Sequence, residues 1–170
     1  MRAFTYTEAT TPEAKAIPFR KADAEGLLPW AMSGFTAPTL ETWLRVTAHG
    51  VLLCCTDAAT GDLLGCGHFT IFQGSVWRFD FTAFHAGFHC AAQQAQGAFD
   101  YMFTQHDASA IVGITPVQFR HAWQLAEDCG FEIVTRLPGA CWLARKQKYV
   151  DGVMVVCTPQ SLRVAQQKGE

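Results

Sequence analysis

The first candidates for chemistry are polar side chains that alternate with apolar ones along a predicted strand, residues 76–84. Arg78, Asp80 and Thr82 share one face of this strand. The Asp80 carboxylate could accept a proton in a reaction, and it could equally form an ion pair with Arg78. His68 lies on the preceding predicted strand, and a shift of one residue in register decides whether it faces Asp80.

Two histidines follow this strand. His85 opens the next loop, where it could titrate near neutral pH or could simply face solvent. His85 and His89 are spaced as H-x3-H, with Cys90 adjacent, which is a spacing found in zinc sites. Because Gly87 interrupts the helical geometry that this spacing needs, and no second ligand pair is evident, we predict no metal.

The elements that position these residues follow from hydrophobic periodicity and turn residues. The chain is expected to form one domain over residues 1–158, with a polar tail at 159–170 that frays. We predict strands at 4–10, 51–56, 63–72, 76–84, 110–115, 131–137, 141–144 and 149–157, and helices at 23–28, 40–46 and 91–106. A further helix is predicted to begin with Thr115 as N-cap and Pro116 as first residue, and to end at Gly130.

Composition narrows the class of protein. The 170 residues are 49% hydrophobic and 12% aromatic, which is enough for a full core. The net charge of -2 gives no basic surface for nucleic acid or anionic membranes. Without a long apolar run or a signal peptide, we expect a cytoplasmic protein. The seven cysteines include no Cys-x-x-Cys, and we interpret them as small buried residues in a reducing compartment.

The order of predicted elements and a short motif resemble those of the GNAT superfamily of acyl-CoA-dependent N-acyltransferases. The motif has an Ala followed eight residues later by Gly-Phe, which matches Ala122, Gly130 and Phe131. The sequence VDGV around Asp151 is similar to the last strand of many members. This resemblance implies an α+β fold with three layers, in which helices cover both faces of a mixed, largely antiparallel sheet.

The resemblance also implies a reaction, namely transfer of an acetyl group from acetyl-CoA to a primary amine. The acceptor could be a small molecule, a peptide N-terminus or a lysine side chain, and a homodimer stays open. Asp80 is then the first candidate for the base or for the group that orients the amine, and His85 is the second. Acetyl-CoA would lie between the strand that ends at Ala83 and Phe84 and the strand that ends near Thr115.

Several positions depart from the pattern of that superfamily. Its pyrophosphate-binding loop has the form Q/R-x-x-G-x-G/A, and the nearest register here comprises Gln93, Gln94, Ala95, Gln96, Gly97 and Ala98. The earlier HAGFHCA segment, with Gly87, is the alternative. Phe119 occupies the usual Asn position, and Ala126 occupies that of a Tyr which protonates the departing thiolate. These changes leave a second function open, that of a catalytically weakened or inactive binding or assembly module.

Overall fold

The structure is a computed structural model that describes residues 3–168, which form seven strands and six α-helices. In chain order they are β1 (Phe4–Glu8), α1 (Pro12–Ala24), α2 (Leu28–Ala31), α3 (Leu40–Val46), β2 (Val51–Asp57), β3 (Leu63–Gln73), β4 (Val76–Ala83), α4 (Ala91–Gln105), β5 (Ala110–Pro116), α5 (Arg120–Asp128), β6 (Glu132–Leu143), β7 (Lys148–Cys157) and α6 (Pro159–Lys168). A 3₁₀ helix at His85–Cys90 joins β4 to α4, and another at Ala144–Lys146 joins β6 to β7.

All seven strands belong to one sheet, in the order β1-β2-β3-β4-β5-β7-β6. β4 and β5 are parallel, and the other neighbouring pairs are antiparallel. The parallel pairing joins residues 76–78 to residues 110–112, and it ends at Arg78 and Val112. The remaining residues of β4 and β5 therefore border an opening in the sheet.

Helices cover both faces of the sheet because successive side chains of each strand point to opposite faces. α4, α5 and α6 cover what we call the α4 face, where Leu53 of β2 shares a core with Phe99 of α4. α1, α2 and α3 cover the α1 face, where the neighbouring Leu52 shares a second core with Trp43 of α3. This arrangement confirms the predicted α+β class. No helix within residues 3–168 is long and apolar enough to cross a membrane.

α1 is much longer than the helix predicted at residues 23–28. Thr11 caps it by accepting the Ala14 N–H at 3.2 Å, and Pro12 lies in the first turn, where its missing N–H is not needed. Pro18 lies inside the helix and is buried together with Phe19. Burial of this helix face offsets the backbone hydrogen bond that Pro18 cannot make, so the prediction of a short helix was wrong.

The predicted start of α5 was also wrong. Thr115 and Pro116 belong to β5, because Pro116 pairs with Gly152 of β7 and the Val117 N–H donates to the Asp151 carbonyl at 2.9 Å. The sheet thus holds the residues that would have capped the helix, and α5 begins at Arg120. Its predicted end is confirmed, since Gly130 follows the helix with φ of +94°.

Two predictions at the C-terminal end need correction. The predicted strands at 131–137 and 141–144 form the single strand β6, whose register shifts between Ile133 and Thr135 and again between Leu137 and Cys141. The segment from Pro159, expected to fray, forms α6. The Ser161 N–H donates to Thr158 Oγ1 at 3.2 Å, and Leu162 is 1% exposed in the core of the α4 face. One buried leucine anchors a helix that is otherwise polar.

Candidate active site

A cavity of about 510 Å³ lies where β4 and β5 separate. Side chains from both faces of β4 line it, so it passes through the sheet from the α1 face to the α4 face. The other contributors are α2, the loop after it, α3, β3, β5, α4, α5 and β6. The cavity is therefore shaped by the opening in the sheet.

A polar wall faces this cavity on the α1 side, formed by His68, Arg78, Asp80 and Thr82. His68 and Asp80 are directly opposite each other on β3 and β4, which settles the register that the sequence left open. Arg78 Nη2 lies 3.2 Å from Asp80 Oδ2. The two side chains are 49% and 59% exposed, so water screens their attraction.

His68 is held much more firmly than its neighbours. It is only 8% exposed, and its Nε2 lies 2.9 Å from the His49 carbonyl oxygen. Because a carbonyl can only accept a hydrogen bond, Nε2 carries the proton. In the neutral ring Nδ1 therefore holds the lone pair, which gives the cavity a proton acceptor in a fixed tautomer.

Aromatic rings surround the α1 side of the cavity. Trp30 and Phe35 are 55% and 36% exposed. Trp142 of β6 also lines the cavity and is half-buried, but it pairs with Tyr149, which alternates in phase with Val153 of the α4 face. The Trp30 ring meets the Phe119 ring edge to face, with 5.8 Å between centroids. Phe119, predicted to contact the cofactor, does line the cavity.

The α5 side of the cavity is apolar and made of small residues. Ala122 and Ala126 line it, and Ala126 offers no hydroxyl at the position where the resemblance placed a Tyr. Cys129 closes the far end, and its Sγ donates to the Ala92 carbonyl at 3.6 Å. Burial raises the pKa of Cys129 to about 12, so this thiol stays protonated at neutral pH.

The residues predicted as the pyrophosphate loop do not form a loop. Gln93, Gln96, Gly97 and Ala98 all lie within α4, which begins at Ala91, so the predicted loop is absent, while their contact with the cofactor stays a prediction. A side chain at Gly97 would collide with the Tyr6 hydroxyl, and Ala98 is 2% exposed in the core. The apolar residues that predicted α4 recur every three or four positions, and they include Ala95, which lies inside residues 93–98. Because this helical repeat continues through the segment, the segment forms helix and not a loop.

The alternative segment is the 3₁₀ helix His85–Cys90. Gly87 is buried within it, and a Cβ there would collide with the Leu64 carbonyl of β3. Its own carbonyl accepts Gln94 Nε2 at 2.7 Å. Phe84 is fully buried and its N–H donates to the Leu64 carbonyl, while Ala83 pairs with Gly65. Gly87 thus serves close packing, and neither Ala83 nor Phe84 lines the cavity.

His85 lies outside the cavity. Its side chain is 57% exposed, and its backbone N–H donates to Glu25 Oε2 at 2.7 Å. Burial raises the pKa of Glu25, but the His85 N–H and the Lys21 ammonium lower it more, so the net pKa is below the usual 4.5. Glu25 therefore ties α1 to the segment that precedes α4.

A second cleft adjoins the N-terminus of α4. Gln93 and Gln96 line it, together with the carboxylates of Glu127, Asp128 and Glu132. No lysine or arginine is among its lining residues in the described part of the chain. This cleft offers phosphates a helix N-terminus without a lysine, an arginine or a glycine loop.

Sequence reasoning missed the aromatic rim and the importance of His68. The sequence could have indicated the aromatic residues of the cavity, which are Trp30, Phe35 and Trp142. Large aromatic residues in a Pro- and Gly-rich segment or on an edge strand cannot all be buried in the core. Five of the seven cysteines are buried, as predicted: Cys55, Cys66, Cys90, Cys129 and Cys157. Within residues 3–168 no group of three His, Cys, Asp or Glu side chains could hold a metal ion.

No family model matches this sequence, and no curated protein matches it. Solved structures do resemble it. Spermidine N-acetyltransferase from Vibrio cholerae, in complex with CoA and spermine, is 16% identical with a TM-score of 0.71, over 94% of this chain and 98% of that chain. A GCN5-related N-acetyltransferase from Brucella melitensis is 14% identical with a TM-score of 0.75, over 98% and 82%.

A third similar structure is the ribosomal-protein-S5-alanine acetyltransferase from Vibrio fischeri. It is 11% identical with a TM-score of 0.66, over 91% of both chains. Identities this low are evidence of fold, and the agreement extends over nearly the whole of residues 3–168. The chain therefore has the fold of the GCN5-related N-acetyltransferases, which confirms the fold that the resemblance implied.

Proposed function

We propose that this protein is an N-acetyltransferase that moves an acetyl group from acetyl-CoA to a primary amine. The observation that carries the proposal is the cavity through the opening between β4 and β5, which joins an apolar α5 side to a polar wall. A thioester arm and an amine could enter such a cavity from opposite faces of the sheet and meet at β4.

The α5 side would hold the acyl-pantetheine arm. Phe119, Ala122 and Ala126 provide an apolar surface for it. The backbone of β4 provides donors: the Phe84 N–H bonds to β3, and N–H groups alternate between the two sides of a strand. The Phe79 N–H faces the last paired residues of β5, whereas the Phe81 N–H lies beyond the pairing and points toward the opening, where it can stabilise charge that develops on a carbonyl oxygen.

The polar wall would prepare the amine. We assign the role of base to His68, in place of Asp80 or His85, because His68 lines the cavity and its Nε2 donates to the His49 carbonyl, which leaves Nδ1 as the acceptor. Asp80 remains the group that orients the amine. Acetyl-CoA supplies the thioester: a C–N bond forms as the C–S bond breaks, and the amine proton passes to His68 Nδ1. The departing thiolate takes a proton from water, and His68 returns its proton to solvent.

The similar structures support this proposal through their fold. One of them holds CoA and spermine, which are a cofactor and an amine of the kinds proposed.

The seven cysteines favour a reducing compartment, so we propose that the enzyme acts in the cytoplasm. A homodimer is also proposed, through the edge strand β6, where Ile133 and Val134 are exposed.

The test is acetylation of a panel of primary amines, followed by mass spectrometry of the products. His68→Gln should lower kcat by about 10²–10⁴-fold, the usual contribution of a general base. His85→Gln is the matched control and should leave kcat little changed, because His85 lies outside the cavity. Equal losses in the two variants would contradict the assignment of His68.

One observation favours the alternative, a binding module with weakened catalysis. Ala126 cannot protonate a departing thiolate, and it lies in the cavity where an acid would be needed. Acetyl-CoA binding without any acetylated amine would support that alternative and contradict the enzymatic proposal.

A further inference from the structure

The acceptor side of the cavity is electrically balanced. Arg78 and Asp80 are its only permanently charged lining residues among those the structure describes, and they form an ion pair with each other. His68 lies opposite Asp80 and donates from Nε2 to the His49 carbonyl. An acceptor that enters this side therefore meets two permanent charges that cancel each other.

The same side presents more aromatic surface than a folded chain normally leaves to water. Trp30 is 55% exposed and Phe35 is 36% exposed, and both line the cavity on this side. Exposed indole and phenyl rings around a concave site are typical of recognition surfaces for apolar or aromatic groups.

From this combination we infer that the acceptor is a primary monoamine with an aromatic or branched apolar body. A polyamine would need a carboxylate for each further ammonium group, and Asp80 is already paired with Arg78. An amino acid would need its carboxylate to displace Asp80 from Arg78. A monoamine has neither a second ammonium group nor a carboxylate, and its apolar body can lie against the aromatic rings.

This inference rests on the proposed function and specifies its substrate. The monoamine loses one proton to His68 Nδ1 and gains the acetyl group, while acetyl-CoA becomes CoA with a protonated sulfur. One similar structure holds spermine, which carries several ammonium groups. If the inference is correct, the same fold accepts in this protein an amine with only one.

The test compares three acceptors with acetyl-CoA under the same conditions: tryptamine, tryptophan and spermidine. Tryptamine and tryptophan share one body and differ only in the carboxylate. We expect kcat/KM for tryptamine to exceed the other two by at least about 10-fold, which corresponds to about 1.4 kcal/mol. An equal or higher value for spermidine or tryptophan would overturn the inference and leave the acetyltransferase proposal standing.

If none of the three amines nor any member of the wider panel is acetylated, the proposed function itself fails, and the inference fails with it. Variants locate the selectivity. Phe35→Ala should raise KM for tryptamine without raising KM for acetyl-CoA, whereas Phe72→Ala, at an exposed aromatic outside the cavity, should change neither. An effect of Phe72→Ala as large as that of Phe35→Ala would contradict the aromatic site.

Arg78→Gln gives an independent readout. Removing the guanidinium frees the Asp80 carboxylate for a second ammonium group, so the ratio of spermidine to tryptamine kcat/KM should rise. An unchanged or lower ratio would contradict the role of charge balance in selecting the acceptor.

Discussion

His68 and Asp80 carry the proposed chemistry, but they are held in different ways. His68 is buried and fixed by the His49 carbonyl. Asp80 is exposed and tied to Arg78 by an ion pair, which at such exposure contributes about 0–1 kcal/mol. Asp80 can therefore move when an amine binds, whereas the base keeps its position.

At the same scale, Glu25 is a positioning residue with a measurable pH dependence. Its pKa is lowered in the folded state, so the stability it contributes is fully present above the usual value of 4.5 and is lost as pH falls through the folded value. At neutral pH we expect Glu25→Gln to lower the free energy of unfolding by about 0.5–2 kcal/mol, because it weakens contacts with His85 and Lys21.

Urea unfolding of the wild type and Glu25→Gln, from about pH 7 down to about pH 3, measures this contribution. The difference between the two proteins should shrink as Glu25 becomes protonated in the wild type. A difference that stays constant over that range would contradict the lowered pKa.

At the scale of elements, α4 depends on a glycine that packs against another strand. A Cβ at Gly97 would collide with the ring and hydroxyl of Tyr6, which itself donates to the Gln94 carbonyl at 2.9 Å. Gly→Ala usually stabilises an exposed helix by up to about 1 kcal/mol. Here we expect Gly97→Ala to destabilise the protein by about 1–3 kcal/mol through overpacking.

Chemical denaturation gives the sign of this change directly. In a Tyr6→Phe background the penalty of Gly97→Ala should be smaller, because the hydroxyl that a new Cβ meets first is gone. Stabilisation by Gly97→Ala in the wild-type background would show that β1 does not pack on α4 as described.

Elements with a local signal were predictable, and elements that depend on distant partners were not. Thr39 directly precedes α3 and caps it by accepting the N–H of Thr42 in its first turn, so both partners are neighbours in the sequence. Thr115 and Pro116 have an equally good local signal for a helix start, but pairing with β7 overrides it. Pro18 similarly suggested a helix end that burial against the sheet prevents.

The candidate site was predictable in part for the same reason. Alternation along β4 placed Asp80 on a polar face, and that placement is correct. The partners of that face, His68 from β3 and Trp30 from α2, are separated from Asp80 in sequence and meet it only through the fold. Side chains brought together by topology leave no local spacing to detect.

At the scale of the whole molecule, the C-terminal helix α6 completes the core of the α4 face. Its Leu162 is 1% exposed within that core. We expect Leu162→Ala to lower the free energy of unfolding by about 2–4 kcal/mol, as buried leucines usually do.

Thermal or urea unfolding can measure this, with Val164→Ala as a control on the same helix. Val164 is 47% exposed and should cost about 0.5 kcal/mol or less. Equal and small effects from both substitutions would mean that α6 is not part of the folded core.

The central claim is that the opening between β4 and β5 binds the acyl arm of acetyl-CoA. A thermal-shift titration tests it most directly, on the wild type, on Ala122→Trp, which fills the cavity from α5, and on Gln124→Trp, which adds the same ring to the exposed side of that helix. At ligand about 100-fold above Kd, binding to the folded state adds about 2.7 kcal/mol of stability. The account predicts a rise in Tm for the wild type and Gln124→Trp that Ala122→Trp loses; no rise in the wild type at millimolar acetyl-CoA, or an equal rise in all three, would contradict it.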